Sequence, residues 1–151
     1  MSVGPLNVLD AVAARLAGLG LTLAGAVVPV SVAKQPHQQE GQTQATQLTV
    51  CAAPRARESR RWTYLHQRED FGVLVVLWTP GNRDRTANFA DLSAIEAAVN
   101  DAFDSKPADL MGLDGLRDCK ADTSVFLDRG AYLQGWDASV TLVTVSIVRV
   151  R

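Results

Sequence analysis

Apolar and polar residues alternate most clearly between residues 71 and 78, and there both alternating sets are largely apolar. Successive side chains of a strand point to opposite faces, so this pattern predicts a central strand covered on each side. The whole strand is predicted to span residues 66–79. One face would hold Phe71, Val73, Val75 and Leu77, and the other Gly72, Leu74, Val76 and Trp78.

Two segments have apolar residues at helical spacing. The first predicts a helix over residues 7–18, with Asn7 as its cap, Gly18 and Gly20 at its end, and a stripe of Leu6, Leu9, Ala13, Leu16 and Leu19. The second predicts a helix over residues 88–105, with Asn88 as its cap and a stripe of Leu92, Ile95, Val99, Ala102 and Phe103.

Four further segments favour strands. Residues 24–33 are rich in valine, but Pro29 lacks an N–H and restricts this strand to a sheet edge or breaks it. Residues 47–53 and a segment within 116–128, clearest at 123–127, predict two more. Residues 136–151 are dense in β-branched residues and predict a strand. This strand exceeds the usual length of about five or six residues, so we expect it to bend over the core or to pair with a neighbouring molecule.

The predicted order is α, β, β, β, α, β, β. Helices and strands do not alternate, which argues against a doubly wound parallel sheet. The sequence therefore predicts one α+β domain over residues 1–151. It would contain a mixed, mostly antiparallel sheet of about five strands with two helices packed on it.

Two polar segments are predicted as exposed loops. Residues 34–45 are glutamine-rich and lack apolar periodicity, so they form a surface loop or an arm that orders on a partner. Residues 54–63 hold four arginines against the single acid Glu58. They are either a solvated loop or a surface facing a partner, through Arg55, Arg57, Arg60 and Arg61.

Charge is unevenly distributed along a chain of 151 residues whose net charge is only −1. Residues 34–85 contain eight lysines and arginines against five acids, whereas residues 91–137 contain four against ten. The net charge favours neither nucleic acid nor membranes. Basic and acidic segments on one small domain suit association between copies, although two solvated surfaces would show the same pattern.

The sequence shows no catalytic constellation. Nucleotide-binding, zinc-protease and serine-hydrolase motifs are missing, and Cys51 and Cys119 lie in no CxxC pair that would indicate a metal site. His66 and Glu69 point to opposite faces of a strand, which argues against acid–base chemistry. We therefore expect no enzyme activity, no cofactor and no metal. The uncharged run at residues 16–33 is better explained by a helix, a turn and a strand than by a membrane span or an export signal.

The layout of nearly the whole chain resembles the tail terminator family of long-tailed bacteriophages, also called tail-completion or minor tail proteins. The similar segments are the helix LNVLDAVAARLAGLG, the strand with its arginine-bearing exit LTVCAAPRARESRR, the central strand EDFGVLVVLWT, the helix DLSAIEAAVNDAF and the final strand WDASVTLVTVSIVRVR. The polar segment 34–45 and the two cysteines match no pattern of that family.

The resemblance implies a structural virion protein made in the host cytoplasm. Such proteins form a ring, typically a hexamer, at the head-proximal end of the tail tube. The ring ends tube polymerisation and joins the tail to the head connector, and DNA can contact its lumen non-specifically. No enzyme activity or cofactor is implied. The alternatives are a connector or stopper protein of the neck, a small α+β enzyme, and a nucleic-acid-binding module using the arginine segment.

Overall fold

The computed structural model describes residues 4–23, 26–32, 47–61, 65–80, 85–104, 113, 115–125 and 136–150. Its elements, in chain order, are α1 (Pro5–Gly18), β1 (Thr22–Leu23), β2 (Ala26–Val27), β3 (Val30–Val32), β4 (Gln47–Arg61), β5 (His66–Pro80), α2 (Arg85–Phe103), β6 (Leu116–Val125) and β7 (Trp136–Val150).

Five of the strands form one sheet in the order β3-β4-β5-β7-β6, and β1 pairs with β2 beside it. Neighbouring strands of the large sheet are antiparallel, except that β3 runs parallel to β4. The predicted α+β class, with a mixed, mostly antiparallel sheet of five strands and two helices, is confirmed.

The pairing of β5 with β7 runs without a break over fifteen residues of each strand, from His66 opposite Val150 to Pro80 opposite Trp136. β7 also pairs with β6 along its middle, so both of its sides are occupied within the subunit over that stretch. The expectation that β7 pairs with a neighbouring molecule is therefore wrong for residues 140–147. Its length is matched by β5 instead.

A single hydrophobic core lies between the helices and one face of the sheet. The odd-numbered residues of β5 and β7 belong to this face, and both helices contribute buried side chains to the same core. Among the predicted core positions, Val73, Val75 and Leu77 are only 1%, 3% and 2% exposed. This confirms β5 as the central strand. On its other face Val76 is buried, while Leu74 and Trp78 are partly exposed.

The start of α1 differs from the sequence prediction. The helix begins at Pro5, so Asn7 lies in its first turn and accepts a hydrogen bond from the Gly4 amide at 2.8 Å. Pro5 favours the earlier start because its ring fixes φ near the helical value. The stripe that faces the core also differs from the predicted one. Leu6, predicted to be buried, is 60% exposed, and the buried positions are Val8, Leu9, Val12 and Leu16.

The second helix also begins earlier than predicted, at Arg85, so Asn88 lies inside the helix rather than at its cap. The apolar stripe of α2 is as expected. All five of its predicted members are buried, namely Leu92, Ile95, Val99, Ala102 and Phe103.

The predicted loop at residues 54–63 is wrong for residues 54–61, where β4 continues to Arg61. The register shifts between Ala52 and Arg57, so that residues 53–56 of β4 stand against Gly72 alone in β5. A bulge of this kind accommodates Pro54, which cannot donate to a ladder, and pairing with β5 resumes from Arg57 to Arg61. Residues 62–63 and the predicted loop 34–45 lie outside the described residues.

Pro29 interrupts the valine-rich segment as expected, leaving the short strands β2 and β3, and β3 lies at the edge of the sheet. The backbone carbonyl of Pro29 accepts a hydrogen bond from the Leu48 amide at 2.9 Å. In the described part of the chain, no helix combines the length and the apolar character that a membrane crossing needs.

Val75→Asp should unfold the protein. Val75 is 3% exposed at the centre of the sheet, and an unpaired carboxylate there costs several kcal/mol, a large part of a typical domain's stability. The matched control is Val150→Asp, because Val150 ends β7 and is 77% exposed. Chemical denaturation followed by circular dichroism checks both variants. A cooperative, soluble Val75→Asp protein would contradict the placement of β5 at the centre of the core.

Candidate functional site

The four predicted contact arginines all lie on β4, not on a loop. Arg57, Arg60 and Arg61 are in register with Phe71, Arg68 and Gln67 of β5, and Arg55 lies within the bulge. The backbone therefore holds three of them in a regular ladder.

The second half of β4 forms one edge of the sheet. On the side away from β5, the short strand β3 pairs only with Leu48, Thr49 and Val50. Beyond them, the described residues provide no partner strand on this side for residues 52–61 of β4.

The opposite edge of the sheet is β6, and the acidic part of the chain lies there. β6 pairs with β7 on one side, and α2 packs over β6 and β7. From Arg85 to Asp104, the helix and the residue after it carry four acids against one arginine. The basic and acidic segments of the sequence are therefore separated across the width of the sheet.

A polar network crosses three strands on the face of the sheet opposite the helices. The Nε of Arg68 donates to Oδ1 of Asp70 at 3.0 Å, and its Nη2 donates to Oγ of Ser146 at 2.9 Å. The Ser146 hydroxyl in turn donates to the same Asp70 oxygen at 2.6 Å. On β6, Asp118 Oδ1 lies 4.0 Å from Nη2 of Arg68. Sequence reasoning missed this network. The spacing of Arg68 and Asp70 by two places them on one face, but Ser146 joins them only through the register of β5 with β7.

A second ion pair lies on the opposite face at the same end of the sheet. Arg149 Nη2 is 3.4 Å from Oε2 of Glu69, and the Glu69 side chain is only 7% exposed. Burial of a carboxylate is tolerated because the guanidinium compensates its charge. Glu69 and Asp70 thus point to different faces, as neighbouring residues of a strand do, and each is paired with an arginine.

An open cleft of about 480 Å³ lies beside β6, lined among others by Arg68, Lys120, Asp104, Asp118, Asp122 and Ser146. Both cationic side chains of the cleft already contact a carboxylate. Lys120 Nζ is 3.6 Å from Oδ2 of Asp122, and Arg68 Nε is 3.0 Å from Oδ1 of Asp70. Within the described part of the chain, no three histidine, cysteine, aspartate or glutamate residues are grouped as a metal site requires. This cleft is a charged surface feature suited to contact with another charged surface.

Both cysteines are buried, and neither forms a disulfide. Burial, together with the smaller effect of the neighbouring Asp118 carboxylate, raises the pKa of the Cys119 thiol from 9.0 to about 11. A thiol that stays protonated at neutral pH is a poor nucleophile and a poor metal ligand. Cys119 is therefore a core residue of β6.

No known protein family matches the chain, and no curated protein matches it either. Twelve chains of solved structures do match. One of them is 14% identical to this chain with a TM-score of 0.45, over 99% of this chain and 97% of the other.

Replacing Ser146 by alanine should lower the free energy of unfolding by about 1–3 kcal/mol. Ser146 is 1% exposed, and its loss leaves Arg68 and Asp70 without their buried bridging hydroxyl. Ser93→Ala on the exposed surface of α2 is the matched control and should stay within about 0.5 kcal/mol of the wild type. Urea denaturation measures both changes, and equal effects in the two variants would show that the network is energetically unimportant.

The free energy of unfolding should fall as the pH rises from 9 to 11, in part because of Cys119. The folded state holds this thiol protonated up to a pKa of about 11, whereas the unfolded thiol ionises near 9.0, so its contribution is complete below pH 9 and is lost toward pH 11. Cys119→Ala lacks that contribution. The difference in unfolding free energy between wild type and variant should therefore shrink over this pH range, and a constant difference would contradict the raised pKa.

Proposed function

We propose that this protein is a structural component of a phage virion. It forms a ring of identical subunits, six by the resemblance, at the head-proximal end of the tail tube. There the ring ends tube polymerisation and provides the surface to which the head connector attaches. The tail tube protein and the connector protein are its partners. The chain acts through its surfaces and not through catalysis.

The observation that carries this proposal is the separation of charge across the sheet. β4, at one edge, holds four arginines against one glutamate, and α2, with the residue that follows it, holds four acids at the other. Opposite charges at opposite edges let the basic edge of one subunit meet the acidic edge of the next. An interface between two different surfaces of one chain is heterologous, and it closes into a ring when the rotation between subunits permits.

The arginine segment supports a second contact of the same assembly. A strand that carries Arg55, Arg57, Arg60 and Arg61 provides positive charge for the phosphates of DNA passing through a lumen. Such contacts depend on charge and salt, and they need no base recognition. The alternative of a cellular nucleic-acid-binding module uses the same residues. It differs in requiring DNA binding by the isolated subunit.

A connector or stopper of the neck would share the ring and the charge pattern, and it differs in position. A terminator contacts the last ring of the tube directly and is present on tails that have never joined a head. A connector or stopper is present on heads without tails. The location of the protein on separated heads and tails therefore distinguishes the two functions.

Electron microscopy of tails purified from a phage that encodes this chain should show a ring of this protein at the head-proximal end. Changing Arg55, Arg57, Arg60 and Arg61 together to serine should leave a folded protein and reduce ring formation or DNA passage, since the positive edge is lost. The charge-preserving control replaces the same four residues by lysine and should retain most of the function.

The absence of the protein from tails, or its presence there as a single copy, would overturn the proposal. Binding of the isolated subunit to duplex DNA, with affinity that falls steeply with salt, would instead favour the nucleic-acid-binding module. Infectious particles that form normally with the serine variant would show that the four arginines belong to a solvated edge.

A further inference from the structure

The apolar residues of β5 and β7 do not by themselves determine how the two strands align. A shift by two residues keeps every side chain on its own face, because side chains alternate between faces with a period of two. If each residue of β5 faced the residue two positions further along β7, Val73 would face Val145 instead of Val143. Valine would replace valine, so the apolar core discriminates weakly against this register.

The polar network on the face opposite the helices discriminates against that forward shift. Arg68 and Asp70 both bond to Ser146, which lies directly across from Asp70. The shift would place Ser146 across from Gly72, about 13 Å along β5 from Arg68. The bond to Arg68 would be lost, and a hydroxyl that is 1% exposed would keep at most one of its two charged partners.

The ion pair on the face toward the helices discriminates against the backward shift, in which β7 moves two residues the other way. Arg149 lies two positions beyond the residue that faces Glu69, and its Nη2 is 3.4 Å from Oε2 of Glu69. The backward shift would place Arg149 four positions from the partner of Glu69, out of reach of its carboxylate. A carboxylate whose side chain is 7% exposed would then lose its compensating guanidinium.

Each cluster tolerates the shift that the other opposes. The forward shift places Arg149 directly across from Glu69, so the ion pair is kept. The backward shift places Ser146 directly across from Arg68 and diagonal to Asp70, where both remain within reach of the hydroxyl. Only the native register satisfies both clusters.

We propose that these two clusters are a conformational device that selects the register of β7 against β5. The network of Arg68, Asp70 and Ser146 excludes the forward shift, and the pair of Glu69 with Arg149 excludes the backward shift. This selection is a property of the single subunit and does not depend on the proposed function.

The selected register also determines the lining of the cleft beside β6. β6 pairs with β7 and therefore moves with it, and the native register brings Asp118 of β6 to 4.0 Å from Arg68 of β5. A two-residue shift would displace the β6 and β7 walls of the cleft by about 7 Å relative to Arg68. The charged surface of the cleft thus depends on the same two clusters.

Disulfide trapping measures the register. Leu74 lies across from Leu142, and its two diagonal neighbours on β7 are Val140 and Thr144, all of them partly exposed. Leu74→Cys is combined with Thr144→Cys to report the forward shift, or with Val140→Cys to report the backward shift. Both native cysteines are changed to alanine, since Cys51 lies across from Leu74 on β4.

The ratio of the two cross-linking rates gives the direction of a shift. In the native register both engineered pairs are diagonal, at about 7–8 Å between Cα atoms, which exceeds the usual reach of a disulfide. A shift brings one pair into direct opposition and separates the other. A general loosening of the sheet accelerates both reactions, so its effect cancels in the ratio.

Arg68→Ala combined with Asp70→Ala should raise the ratio of the forward to the backward cross-link about tenfold, because a hydrogen bond to a charged group is typically worth that factor. Glu69→Gln combined with Arg149→Gln is the matched control on the other face of the same strands. It should lower the ratio, since it permits the backward shift instead.

Ser146→Ala provides a milder variant that keeps both charges, and it should raise the ratio in the same direction by a smaller factor. This variant decides the question if the double variant at residues 68 and 70 does not fold. An unchanged ratio in the decisive variant overturns the proposal. A ratio that moves in the same direction after the changes on either face also overturns it, because the two clusters would then not oppose different shifts.

Discussion

The fifteen-residue pairing of β5 with β7 is the constraint on which the rest of the structure depends. It fixes which side chains of both strands face the helices, and a shift by one residue would exchange the buried and outer sets. It also brings Ser146 beside Asp70 and Arg68. β4 and β6 then add on either side of this pair, so the two edges of the sheet owe their positions to it.

The sequence was most informative where burial determines the residue type. β5 was predictable because apolar residues occupy both faces, and the stripe of α2 because five apolar residues at helical spacing all enter the core. The stripe of α1 was partly wrong, because residues 6, 8, 9, 12, 13 and 16 are all apolar and their spacing fits more than one stripe. In the structure Val8 and Val12 are buried and Leu6 is exposed, and Pro5 places the start of the helix two residues earlier than a prediction based on Asn7.

Features that depend on the register between distant segments could not be predicted from the sequence. Four arginines and a proline in residues 54–61 have the composition of a loop, yet the ladder with β5 resumes after a bulge and makes them a strand. The pairing partner, and not the local composition, determines the structure of such a segment. The network of Arg68, Asp70 and Ser146 is missed for the same reason, because the serine is separated from the other two by more than seventy residues.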